Sequence, residues 1–194
     1  MSTTAQVGVP AALLVARWWS RPTTEQRAQW AELWPEARRT AELLGLDRGL
    51  VAQLEHASER TDPEVLLEEY ERLLVGPGRA PCAPYESLWR GDLPEEQRET
   101  LMGSAADEVQ RVYGAIGMQL RPDAHELPDH LLVEWEALAC ALDRGADEHA
   151  DALLHDHLSI WVVPFCAAVA RETKEAFYAT LAELTPAWTA ALAR

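Results

Sequence analysis

Two acids and an imidazole stand close together in Glu126-Leu127-Pro128-Asp129-His130, with Glu134 four residues further on. At positions i and i+4, His130 and Glu134 would share a helix face, a spacing that can present two ligands to a metal. A metal site needs at least a third ligand, and the sequence offers none in register. The same histidine beside a carboxylate would make a pH-sensitive hydrogen bond instead. Asp129 is read as lying in the first turn of a helix opened by Pro128, where a carboxylate opposes the positive end of the macrodipole. Two readings stay open at this point. One is a small helical metal- or nucleotide-binding hydrolase using Asp129, His130 and Glu134. The other is a helix start with a satisfied histidine.

A second segment invites attention because it should not be helical. Residues 76–89 read Gly-Pro-Gly-Arg-Ala-Pro-Cys-Ala-Pro-Tyr-Glu-Ser-Leu-Trp. Glycine and proline at Gly76, Pro77, Gly78 and Pro81 free or fix the backbone in ways a helix rejects. With Pro84 they would hold a preformed surface on which Tyr85 and Trp89 offer apolar faces with a polar tip. Ordered loops of this length are uncommon in compact domains unless they serve a purpose. The plainer alternative is a crossover that packs Trp89 into the core. A third group, His149, His155 and His157, does not converge: at 3.6 residues per turn, positions 155 and 157 point about 200° apart. It is read as surface plus one packing histidine. Gly-x-Ser-x-Gly, His-Glu-x-x-His and phosphate-loop motifs are missing from the sequence.

The elements that must position these residues read as helices throughout. A first helix spans residues 9–19. Thr23, with Gln26 three places on, caps a second, which Pro35 should kink or divide. A short helix covers 47–57. Asp62 and Pro63 form an N-cap with proline at the first helical position, and Leu66, Leu67, Tyr70, Leu73 and Leu74 then make one apolar stripe until Gly76. Pro94 should open a helix to about Ile116, with Leu101 on its inner face. Pro128 should start another, ending at Gly145. A long stretch from Asp147 to about Leu184 should kink or break at Pro164, and Pro186 should open a short terminal helix. Nothing alternates with period two for long enough to be a strand. The expectation is an all-α, single-domain helical bundle over residues 1–194, with a long proline-rich loop.

Composition bounds the function. The 194 residues carry 32 acids against 17 bases, a formal charge of −15. That argues against nucleic acid and against an anionic membrane surface, and favours solubility and a cationic partner. Cys82, Cys140 and Cys166 are far apart and odd in number, which fits a reducing compartment better than a disulfide framework or zinc site. The N-terminus lacks the features of a signal peptide. The apolar run Ile160–Ala170 contains Pro164 and is too short to span a bilayer. A cytoplasmic protein without stable membrane insertion is expected.

Three stretches, in order, resemble a known family. They are Glu69-Tyr70-Glu71-Arg72-Leu73-Leu74-Val75-Gly76-Pro77 with Pro81, Pro84, Ser87 and Trp89; Glu126-Leu127-Pro128-Asp129-His130-Leu131 with Glu134; and His157-Leu158, Trp161, Pro164 and Phe165 with Ala176-Phe177-Tyr178 and Leu181. Together they resemble the TorD/DmsD/NarJ-like family of redox-enzyme maturation chaperones over roughly residues 60–185. The chain departs from the family pattern at Leu74, at Leu127 and at Tyr85-Glu86. The resemblance implies a cytoplasmic, all-helical accessory protein that is not an enzyme and needs no cofactor. Its implied partner is the apo catalytic subunit of a molybdenum oxidoreductase of the dimethyl sulfoxide reductase family. The chaperone would hold that subunit by its N-terminal, twin-arginine-type peptide until cofactor is inserted, as a monomer or dimer. The implied peptide-binding positions are Gly76, Pro77, Pro81, Pro84, Tyr85, Ser87, Trp89, Glu126, Asp129 and His130.

Overall fold

The structure, a computed structural model, describes residues 3–76, 78, 80–92, 101–120 and 126–194. Among these, regular structure is helical: α1 Thr3–Trp18, α2 Thr24–Leu43, α3 Arg48–Arg60, α4 Pro63–Tyr70, α5 Ser104–Ala115, α6 Leu131–Asp143, α7 Asp147–Ala152, α8 Ser159–Glu172 and α9 Ala176–Leu192. Two π-helical segments interrupt this pattern. Glu71–Val75 continues α4, and Leu153–Leu158 joins α7 to α8. Local chemistry sets several helix starts. Thr23 Oγ1 accepts the Gln26 N–H at 3.2 Å. Asp62 Oδ1 accepts the Glu64 N–H at 2.8 Å, with Pro63 in the first turn.

The helices enclose one cluster of buried side chains. α1 packs along α6 and α2, and α9 along α8 and α3. Tryptophan supplies much of the filling: Trp18, Trp19, Trp30, Trp135, Trp161 and Trp188 are all fully buried. Trp30 stacks on Phe177 at 5.0 Å, and Trp18 lies between Trp34 at 5.6 Å and the edge of Trp188 at 5.7 Å. Large flat rings bury much apolar area per residue, which suits a chain with only two Phe.

Several expected breaks move. α1 begins before residue 9, so Pro10 lies inside it, and α2 runs through Pro35. Pro164 interrupts nothing: α7, the π segment and α8 form one run, Asp147–Glu172. By length and composition that run could cross a membrane, at mean hydropathy 1.4. Its fully buried Trp161, Val162, Phe165 and Val169 face the other helices, as in a core helix. The true break falls at Thr173–Glu175, and α9 continues through Pro186. The cause is Glu69 of α4, whose Oε1 accepts the Lys174 N–H at 2.6 Å and the Thr173 hydroxyl at 3.0 Å. Proline mid-helix is tolerated here because buried packing on both sides outweighs the lost hydrogen bond. The expected helix start at Pro94 lies outside the described residues. Leu101 is exposed, in a turn ahead of Ser104 rather than on the inner face of α5.

Candidate functional site

The proline-rich loop leaves α4 through the first π segment. The Gly76 N–H donates to Glu71 O at 2.6 Å. Gly76 has φ +65°, and a Cβ there would stand 3.0 Å from the Ala80 Cα, so glycine is required by both conformation and space. The loop then turns inward: Cys82 is buried, and its N–H donates to Leu73 O at 2.9 Å.

Next the loop meets the segment before α6. Tyr85 and His130 form an isolated antiparallel bridge. The Glu86 N–H donates to Asp129 O, and the Leu131 N–H to Pro84 O, each at 2.9 Å. The Ser87 N–H donates to the Asp129 carboxylate at 3.1 Å. The two stretches are therefore one piece of structure. Asp129 is fully buried and acts on the loop, not on a helix dipole: α6 starts at Leu131, and His130 is its N-cap. The turn that places Asp129 there is fixed by Tyr113, whose hydroxyl donates to Pro128 O at 2.7 Å.

His130 Nδ1 accepts the Leu132 N–H at 3.1 Å, so in the neutral ring Nε2 carries the proton. Nε2 lies 3.5 Å from Glu126 Oε2, which also accepts the Tyr85 hydroxyl at 3.2 Å. Burial pushes the His130 pKa down, against the pull of Glu126 and Asp129. These groups form the polar side of a cavity of about 500 Å³. Tyr70, Leu74, Ala80, Leu88 and Leu101 line its apolar side. Glu126 is the carboxylate among the lining residues, and its side chain is 46% exposed.

Pro84, Tyr85, Gly78, Glu126 and His130 thus line or wall one cavity. Ser87 and Asp129 lie behind it, buried. Pro81 is exposed on the loop, and Pro77 lies outside the described residues. Trp89 is not on the cavity lining. Its Nε1 donates to Ala83 O at 2.8 Å, and its ring meets Phe165 edge-on at 5.7 Å, so it braces the loop from within. Of His149, His155 and His157, the last is buried, His155 is exposed and His149 is half-buried.

Beneath the cavity lies a cluster whose loop members, Glu86 and Arg90, carried no site assignment from the sequence. Glu86, fully buried, sits between Arg90 and His157, whose Nδ1 is 2.9 and 3.1 Å from its oxygens. Arg90 also holds Asp92 with two bonds of 2.7 Å and donates to Asp156 O at 3.0 Å. Glu134 is fully buried and accepts the Trp161 N–H at 2.9 Å. Burial, and then the neighbouring charge of Glu86, push its carboxyl well above the usual range. Glu86 and Arg90 are four apart, a common helix-surface spacing, and in a proline-rich loop that was the only sequence signal. Asp129 and Glu134 turn inward while His130 faces the cavity, so these three do not meet around one ligand. Among the described residues no group of three or more His, Cys, Asp or Glu side chains could hold a metal.

Residues 24–167 match the nitrate reductase delta subunit family. The chain is 27% identical over 169 residues to the chaperone protein TorD of Shewanella piezotolerans (strain WP3 / JCM 13877), covering 86% of this chain and 76% of that protein. Its fold is similar, at TM-score 0.61 and 22% identity, to a solved structure described as a candidate redox enzyme maturation protein from Archaeoglobus fulgidus, over 96% of this chain and 93% of the other. With three quarters of its length inside the family match, the chain belongs to the nitrate reductase delta subunit family, the TorD/NarJ-like group that its sequence resembles.

Proposed function

We propose that this protein is a cytoplasmic maturation chaperone for a molybdenum-cofactor oxidoreductase of the dimethyl sulfoxide reductase family. It binds the N-terminal, twin-arginine-type peptide of the apo catalytic subunit in the cavity between the loop and the Glu126–His130 turn. It holds that subunit until cofactor is inserted and export or assembly can follow, acting by binding and not by turnover. Family membership and the similarity to a protein named as a chaperone support the general role.

The observation that carries the peptide reading is the cavity itself. A volume of about 500 Å³ is large enough for two or three side chains, and its walls are mostly apolar with a carboxylate at the rim. An apolar residue seated among Tyr70, Leu74 and Leu88, with a neighbouring arginine on Glu126, would satisfy both sides. Ordering a flexible peptide offsets much of the gain, so the expected affinity is micromolar, roughly −8 kcal/mol.

Calorimetry with a synthetic peptide of two adjacent arginines followed by an apolar run tests this. Tyr85→Ala should weaken binding about tenfold, through lost contact area. Glu126→Gln should weaken the arginine peptide but not one with glutamines in their place. Unchanged affinity in both variants would remove the cavity from the reading.

A further inference from the structure

Six titratable groups face one another under the cavity wall. Glu86 and Arg90 come from the loop, Asp129 from the turn before α6, Glu134 from the first turn of α6, Tyr113 from α5, and His157 from the π segment before α8. All are buried. Arg90 is the permanent cation among them, and it is shared with Asp92. The Tyr113 hydroxyl is committed to Pro128 O, and one oxygen of Asp129 to the Ser87 N–H. Trp161 satisfies one oxygen of Glu134; the other, Oε1, has no donor although it is buried. His157 and Trp161, one turn apart on the same helical run, hold Glu86 and Glu134 respectively, which sets the two carboxyls side by side. Two adjacent buried carboxylates with one shared cation cannot both stay ionised without a large penalty.

We propose that Glu134 is a positioning residue for the cavity: as a neutral acid it donates its proton to Glu86, and this buried carboxyl–carboxylate hydrogen bond straps loop residues 80–92 to α6. The loop carries Pro84, Tyr85 and Leu88, so the strap sets the cavity wall. Losing the proton would set two negative charges side by side and loosen the loop. The direction of the Glu134 shift agrees. The consequence for peptide binding rests on the function proposed above; the strap itself does not.

The test is hydrogen exchange at the Glu86, Ser87 and Trp89 amides, read as protection factors from about pH 5 to about pH 8 without any peptide. The closed loop holds one proton more than the open loop, so wild-type protection should fall as pH rises, by up to about tenfold per pH unit. Glu134→Gln, whose amide can donate to Glu86 at every pH, should hold full protection with a flat profile. Glu134→Leu, with neither charge nor donor, should be flat but less protected. A flat wild-type profile, or a wild-type slope retained in Glu134→Gln (which would assign the proton to His157), overturns the proposal. Calorimetry with the two-arginine peptide over the same range should show affinity declining with pH in wild type and constant in Glu134→Gln. If neither protein binds the peptide while the exchange profiles stand as expected, the cavity reading fails and the strap survives.

Discussion

At His130 the two ring nitrogens are assigned by what they touch. Nδ1 caps α6 by accepting the Leu132 N–H, and Nε2 points at Glu126. A second proton would have to go on Nδ1, where it would meet the very N–H it now accepts. Burial adds to this, so the folded protein lowers the His130 pKa below the ordinary value near 6.5. The sign follows. Below about pH 6.5 the unfolded chain takes up a proton that the folded chain refuses, so stability is full above that pH and is lost as pH falls. The limiting slope is about 1.4 kcal/mol per pH unit. His130→Asn keeps a good N-cap without a titrating ring. Thermal unfolding should therefore give similar stability for both proteins near pH 7.5 and a flatter acid limb for the variant. Superimposable curves down to about pH 5 would show that the ring protonates freely in the fold. The sequence marked Asp129 and His130 as a pair, but not their division of labour. That depends on α6 starting at Leu131, three residues later than the proline signal suggested.

Elements show the same pattern of legible starts and hidden stops. Thr23, Asp62 and Gly76 were readable because each acts on backbone within a few residues of itself. The break between α8 and α9 was not, because its cause is 104 residues away: Glu69 bonds Thr173 and Lys174 as well as Arg72. Burial works against the charge on Glu69, yet these bonds outweigh it and hold its carboxyl below the usual range. Glu69 thus joins the helix that leads into the loop to the turn between the last two long helices. Glu69→Ala leaves the Lys174 N–H and the Thr173 hydroxyl without their acceptor, at an expected cost of about 2–4 kcal/mol. Urea unfolding would read it, with Glu69→Gln recovering part because its carbonyl oxygen still accepts. A loss under about 0.5 kcal/mol in the alanine variant would mean that packing alone sets the break. The π segments were equally invisible to a 3.6-residue pattern. One delivers Gly76 to the loop, and the other aims His157 and Asp156 O at it. Extra residues inserted into a helix often sit at working sites, and here both adjoin the loop that walls the cavity.

For the whole molecule, the all-helical class was legible from periodicity and caps, and the meeting of the loop with the Glu126–His130 turn was not. Forty-five positions of chain separate Tyr85 from His130, and the Tyr113 bond to Pro128 O sets the turn that meets the loop. Charge was legible at once, and it acts at this scale. On the function proposed above, a formal charge of −15 would attract a dibasic peptide from beyond contact distance, whereas apolar burial in the cavity would act only on contact. The two contributions separate by salt. Raising ionic strength from about 0.01 M to about 1 M shortens the screening length from about 30 Å to about 3 Å. Stopped-flow association of the two-arginine peptide should then slow by at least about tenfold while its dissociation rate changes little. The same peptide with glutamines for arginines should associate slowly at all salt concentrations and lose little more. Dissociation that accelerates with salt as steeply as association slows would place most of the affinity in the Glu126 ion pair. The apolar wall of Tyr70, Leu74 and Leu88 would then be secondary, and the client peptide would be selected by its charges before its apolar run.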